Sequence, residues 1–204
     1  MKLKLAFVFF VVSIQTFGQN PDIDILKEIN LNRNASFDSK MQFLTNTSDF
    51  VALGTPITLL TVGFIKDDAN LKKEGLNAAV AVVGTYGLGY ILKNTVKRNR
   101  PYVTYPFIQN YKVENDSSFP SGSTSIAFSS ATSLSLIYPK WYVIAPSALY
   151  AAGVGYSRLH LGVHYPSDVL AGALIGVGSA FVSRGLNKML LNEFRKRKLK
   201  KSTY

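Results

Sequence analysis

Hydrophobic and polar residues fall in blocks along this chain rather than alternating one by one. Five apolar blocks, residues 50–65, 76–92, 124–138, 142–156 and 169–182, are separated by polar stretches. None shows the period-two alternation of a half-buried strand, so each is read as a helix. Their Ala, Gly, Leu and Ser content suits close helix packing, and Gly172-x-x-x-Gly176 offers a small-residue contact face. Ahead of them runs a polar stretch, 20–49, where Ile23, Leu26 and Ile29, then Met41 and Leu44, make short helical stripes. The expected fold class is all-α, a helical bundle of about five helices.

Each block is 14–17 residues long, short of the roughly 20 an untilted membrane span needs. Taken singly, each fits a buried helix of a soluble bundle equally well. The two ends of the chain favour a membrane. Lys2 and Lys4, an apolar run from Leu5 to Ile14, and the small residues Thr16 and Gly18 make an export signal with a mature start near Gln19. An uncleaved first membrane helix is the other reading of residues 1–18. With the mature N-terminus outside, five crossings put the C-terminus in the cytoplasm, and residues 184–204 are strongly basic, as the positive-inside rule expects. Tyr138, Trp141 and Tyr142 flank a tight turn, as an interfacial aromatic belt does. The expected divisions are thus a signal at 1–18, a polar segment at 19–49, a helical domain at 50–183 and a basic tail at 184–204.

Charge and cysteine content narrow the chemistry. The net charge of +11 suits nucleic acid, a membrane surface or an anionic substrate. Export argues against nucleic acid. Without cysteine there is no disulfide, thiol nucleophile or zinc–thiolate site.

On this topology three polar clusters meet at the outer end of the bundle. Lys93 and Arg100, followed by Pro101, close the second helical block. Pro120-Ser121-Gly122-Ser123 opens the third. The segment 157–168, SRLHLGVHYPSD, joins the fourth to the fifth and holds both histidines of the chain, His160 and His164. Lys93, Arg100 and Arg158 are fixed cations, and arginine binds phosphate bidentately. A helix start presents free N–H groups and a macrodipole to an anion. Asp168, in the first turn after Pro166, can reach back to the His164 ring. Lys97 and Arg98, in the same basic run as Arg100, also suit snorkelling at an interface.

K-x6-R-P, P-S-G and S-R-x5-H-x3-D, in this order, resemble the motifs of the type 2 phosphatidic acid phosphatase (PAP2) superfamily. That superfamily also includes bacterial acid phosphatases and vanadium haloperoxidases. The resemblance implies a bundle of the PAP2/haloperoxidase type. It implies that His164 attacks phosphorus to form a phosphohistidine and that Asp168 orients it. Lys93, Arg100, Arg158, Ser121 and the Gly122 amide would hold the phosphoryl oxygens, with no metal or cofactor required. His160 is expected to be a packing or hydrogen-bonding residue.

The second motif departs from the family's P-S-G-H, because Ser123 stands where the family's general-acid histidine belongs. A hydroxyl is too weak an acid for that role near neutral pH, and losing a general acid costs about 10²–10⁴ in rate. An alkoxide leaving group needs that proton. A phosphate leaving from a diphosphate, with a pKa of about 6, does not. Ser123 therefore points toward phosphoanhydride substrates, toward a water relay, or toward a protein that binds phosphate without turnover. The expected partners are a phosphorylated lipid and the membrane. The expected location is a bacterial inner membrane with a periplasm-facing site, a soluble periplasmic acid phosphatase being the alternative.

Overall fold

The computed structural model describes residues 20–202, and the signal expected at 1–18 lies outside them. Helices α1 (Pro21–Leu31), α2 (Asp38–Ile65), α3 (Ala69–Val96), α4 (Pro101–Thr104), α5 (Gly122–Ile137), α6 (Trp141–His160) and α7 (Pro166–Ser202) follow in order. A single 3-10 turn, Ala35–Phe37, leads into α2.

Five of these helices correspond to the five apolar blocks, but they run further. α2 begins at Asp38, so Met41 and Leu44 lie on its first turns rather than on a separate short helix. α2 and α3 are 28 residues each and α7 is 37. The polar residues at the helix ends extend each apolar block, which is why hydropathy alone underestimates length. Three stretches, Ala35–Ile65, Ala69–Thr104 and Pro166–Asn187, are long and apolar enough to cross a membrane. The basic tail continues α7 as helix to Ser202.

The packing is small inside and large outside. α5 lies at the centre, against α2, α3, α6 and α7. Its buried side includes Ser125, Ile126, Ala127, Ser129, Ser130 and Ala131. The large side chains Phe50, Phe64 and Ile65 of α2, Tyr90 of α3, Leu149 of α6 and Leu174 of α7 face outward, each more than 60% exposed. So much outward-facing apolar surface marks a protein solvated by lipid. Gly172 and Gly176 are the contact face of α7: a Cβ at Gly172 would sit 2.7 Å from Ser121 O, and one at Gly176 2.1 Å from Ser125 O. Glycine there lets the backbones of α5 and α7 meet and fixes the starts of both helices relative to each other. At the opposite end Arg184 Nη1 of α7 donates to Leu136 O of α5 at 2.8 Å.

α1 stands apart from the bundle and braces one end. Its Ile23 and Leu26 pack on Ile108 and Tyr165. Asn30 Nδ2 donates to the carbonyls of Gln109 and His160, and Asn30 Oδ1 accepts from Gln109 N at 2.8 Å. The long loop after α4 is thereby tied to the segment that follows α6.

Candidate active site

Helix ends build the site. Lys93 lies in the last turn of α3, Arg100 caps α4, Gly122 and Ser123 open α5, Arg158 lies in the last turn of α6, and Asp168 lies in the first turn of α7. His164 sits in the short connection between α6 and α7. That connection depends on Gly162, whose φ of +69° is left-handed and where a Cβ would fall 2.6 Å from Gln109 O. Pro166 then starts α7 at once, as its fixed φ allows.

A cavity of about 220 Å³ is lined by Lys93, Arg100, Gly122, Ser123, Arg158 and His164, together with Glu114 and Asp116. Arg100, Arg158 and His164 are almost wholly buried, and Asp168 entirely so. Ser121 is placed differently from the other expected phosphate ligands. It is fully buried, its hydroxyl lies 2.8 Å from Thr124 Oγ1, and it is absent from the cavity lining. Its backbone N–H donates to Asp168 O at 3.1 Å, so Ser121 joins the start of α5 to the start of α7. No side chain caps α5, leaving its first-turn amides available. A Cβ at Gly122 would meet nothing within 4 Å, so open space adjoins that amide.

His164 is held between cations and a carboxylate. Its Nδ1 faces Asp168 Oδ2 at 3.5 Å, too long for a formed hydrogen bond but close enough for electrostatic orientation. Its Nε2 lies 3.1 Å from Arg100 Nη1. With the ring proton on Nδ1, facing the carboxylate, Nε2 carries the lone pair. Burial, reinforced by the Arg158 and Arg100 charges and only partly opposed by Asp168, pushes the imidazole down to about 3. The ring is therefore neutral at physiological pH and able to act as a nucleophile.

This shift has a consequence for stability. Unfolded, His164 returns to its ordinary value of 6.5, so between about 6.5 and 3 the unfolded chain binds the extra proton. His164 therefore opposes folding progressively as pH falls through that window. Thermal unfolding in detergent should show a melting temperature that falls on acidification from pH 6.5 to 4, with a shallower fall in His164→Asn.

Asp168 is itself clamped. Oδ1 accepts from Arg98 Nη1 at 2.7 Å, and Oδ2 accepts from Ser118 Oγ and from Tyr165 N at 3.0 Å. Arg98 also donates to Asp22 of α1 at 2.7 Å and stacks on the Tyr165 ring, its guanidinium carbon 3.8 Å from the centroid. Asp22 in turn accepts from Ser167 N at 2.7 Å. Arg98 is thus a positioning residue rather than a snorkelling charge. Only its place in the basic run hinted at this, since Asp22 is 76 residues away in sequence.

Each of the three site cations already has a carboxylate on it. Asp116 Oδ2 lies 3.0 Å from Lys93 Nζ, and Asp116 Oδ1 pairs with Arg100. Glu114 Oε1 lies 3.1 Å from Arg158 Nη2. Burial alone would raise the Asp116 carboxyl, but Lys93 and Arg100 outweigh it and hold it below the usual range. Arg158 Nε is buried without a hydrogen-bond partner. Glu114 and Asp116 escaped the sequence reading, although they are the only acidic residues between 94 and 119. His160 lies elsewhere: its Nε2 is 2.9 Å from Asp38 Oδ1, an interaction joining α6 to α2.

The motifs that meet in this cavity are matched by a family model, PAP2 superfamily, across residues 74–190, more than half the chain. The chain belongs to the PAP2 superfamily. It is a PAP2-type phosphatase. An undecaprenyl-diphosphatase from Sulfolobus acidocaldarius is 31% identical over 188 residues, covering 89% of this chain and 87% of that relative. The crystal structure of LpxE from Aquifex aeolicus superposes with a TM-score of 0.71 at 28% identity, over 82% of this chain and 97% of that one. The transmembrane PAP2-type phosphatidylglycerolphosphate phosphatase of Bacillus subtilis gives 0.70 at 25% identity, over 90% and 94%. These relatives carry the membrane placement that the outward-facing apolar helices require, and the PAP2 fold accounts for the bundle of helix ends around His164.

Proposed function

We propose that this protein hydrolyses a lipid phosphate or diphosphate through a phosphohistidine, at a site facing the periplasm from a bacterial inner membrane. The observation that carries the lipid is a second cavity, about 290 Å³, running past Thr85, Gly89, Tyr90 and Ile126 between α3 and α5. It shares Asp49, Lys93, Asp116, Gly122 and Ser123 with the polar cavity. A charged head and an apolar tail can therefore be held at once. The similarity to an undecaprenyl-diphosphatase supports the same substrate class, and the outward-facing apolar side chains favour a membrane enzyme over a soluble periplasmic phosphatase.

In this mechanism Lys93, Arg100, Arg158 and the Gly122 amide bind the nonbridging phosphoryl oxygens and stabilise the charge spread over them in transfer. His164 Nε2 forms a bond to phosphorus as the bond to the leaving oxygen breaks. Asp168 stabilises the positive charge that develops on the ring. Water then attacks phosphorus, releasing inorganic phosphate and restoring neutral His164. His164 is the one histidine that lines the cavity, and Ser123 lines it where the family motif has its second, so no imidazole is placed to protonate the departing oxygen.

That gap makes the enzyme selective for leaving groups that depart unprotonated, which favours a diphosphate. The test is phosphate release by the purified protein from matched lipid mono- and diphosphates, before and after Ser123→His. The wild type should favour the diphosphate. Ser123→His should raise monophosphate hydrolysis by about 10²-fold, the low end of general-acid effects, with a smaller gain on the diphosphate. Equal gains on both would remove the role assigned to Ser123. No release from any member of the panel, with phosphate binding intact, would make the protein a binder instead.

A further inference from the structure

Glu114 and Asp116 place carboxylates on the three cations proposed to hold the phosphoryl group. The backbone carrying them is fastened independently of those carboxylates. Ser118 N donates to Arg98 O at 2.9 Å, Arg100 Nε donates to Asp116 O at 3.0 Å, and Tyr102 Oη bridges the N–H and C=O of Glu114 at 3.0 and 3.2 Å. A carboxylate displaced from its cation therefore stays within reach, at high effective concentration.

We infer that Glu114 and Asp116 are a tethered competitor for the phosphoryl position and so set a charge threshold for entry. The inference rests on the phosphate-site reading above and concerns which anions that site admits. The cavity lining carries four cations, Lys93, Arg100, Lys112 and Arg158, against three carboxylates, Asp49, Glu114 and Asp116, which leaves one net positive charge before an anion enters. A monoanionic phosphodiester that displaces Asp116 exchanges one negative charge for another. Its gain on the cations is offset by the ion pairs it breaks, so it fails to hold the site. A terminal phosphate, carrying about −1.5 to −2 at neutral pH, or a diphosphate gains more than the carboxylate pairs cost.

The threshold has a use at a membrane surface. Bilayer phospholipids present phosphodiesters at high local concentration, and an open trio of Lys93, Arg100 and Arg158 would be filled by them. The tethered carboxylates keep the cations engaged until a more highly charged head arrives. Asp116 is more than half exposed, so it has solvent to move into when displaced.

The experiment uses full-length protein in detergent. Binding of methylenediphosphonate, a non-hydrolysable diphosphate, and of dibutyl phosphate, a monoanionic diester, is measured by calorimetry for wild type, Asp116→Asn and Glu114→Gln/Asp116→Asn. Wild type should bind the diphosphonate and show no diester binding in the millimolar range. The double variant should bind the diester at least about tenfold more tightly, the scale of one charge-assisted hydrogen bond no longer broken on entry. It should bind the diphosphonate no more weakly than wild type, which also shows the fold to be intact. Unchanged diester affinity, or a weakened diphosphonate, would overturn the inference and make the carboxylates supports that aim the cations. Failure of wild type to bind the diphosphonate would overturn the phosphate-site reading itself.

Discussion

His164→Ala protein should form no phosphoenzyme and lose roughly 10⁴-fold or more in turnover, the scale on which removing a covalent nucleophile acts. Brief exposure to a ³²P-labelled lipid diphosphate followed by alkaline quench should label the wild type, and acid should remove the label, as expected of a phosphoramidate. The variant should take up none. The expectation follows from three features of the ring. It is neutral because burial and the neighbouring arginines hold its proton affinity down. Its Nε2 points toward the cations that would hold the phosphoryl oxygens. Its Nδ1 faces a carboxylate clamped by Arg98, Ser118 and the Tyr165 amide. His160, the other imidazole, is engaged by Asp38 outside the cavity, so it offers no substitute nucleophile. Persistence of label in His164→Ala, or turnover within tenfold of wild type, would place the chemistry on another residue. Phosphate binding should survive the substitution, because the three cations and the α5 amides remain.

The parts of this architecture that were legible in sequence are those encoded locally. Apolar blocks marked five helices, the Gly172/Gly176 spacing marked a contact face on α7, and the spacing from Arg158 through His164 to Asp168 spans the one connection between α6 and α7. What escaped depended on contacts distant in sequence. Arg98 reads as one more basic residue until Asp22 of α1 and Asp168 of α7 are placed on either side of its guanidinium. Asp116 and Glu114 belong to no motif, and only the fold brings them to Lys93 of α3 and Arg158 of α6. Ser121 illustrates the converse. Its motif position suggested a phosphate ligand, and in the structure its buried hydroxyl lies beside Thr124 Oγ1 while its backbone N–H joins α5 to α7. Helix lengths were underestimated because polar residues such as Asp38, Asn70 and Lys93 extend the helices beyond the apolar face that hydropathy detects.

Arg100→Ala should lower kcat/KM by on the order of 10³, the effect of deleting one charged donor from a phosphoryl-transfer site. Arg100→Lys should recover little of that loss. The guanidinium makes directional bonds that a lysine cannot reproduce. Nη1 donates to Val163 O at 2.9 Å and lies 3.1 Å from His164 Nε2, while Nε donates to Asp116 O at 3.0 Å. One planar fork thus fixes the backbone next to His164, borders the nucleophilic nitrogen and holds the acidic loop. An ammonium supplies a charge of the same sign but only one centre, so it can replace the attraction for phosphate without replacing the alignment. The two substitutions should therefore separate in binding. Arg100→Lys should keep most of the affinity for methylenediphosphonate while kcat stays low, whereas Arg100→Ala should lose both. A lysine variant with near wild-type kcat would reduce Arg100 to a point charge. A lysine variant as weak in binding as alanine would mean that the guanidinium's contact with Val163 O, rather than its charge, maintains the cavity. The expected split, binding retained and turnover lost, follows from the position of Arg100 at both the nucleophile and the phosphoryl site, which neither Lys93 nor Arg158 shares among the observed hydrogen bonds.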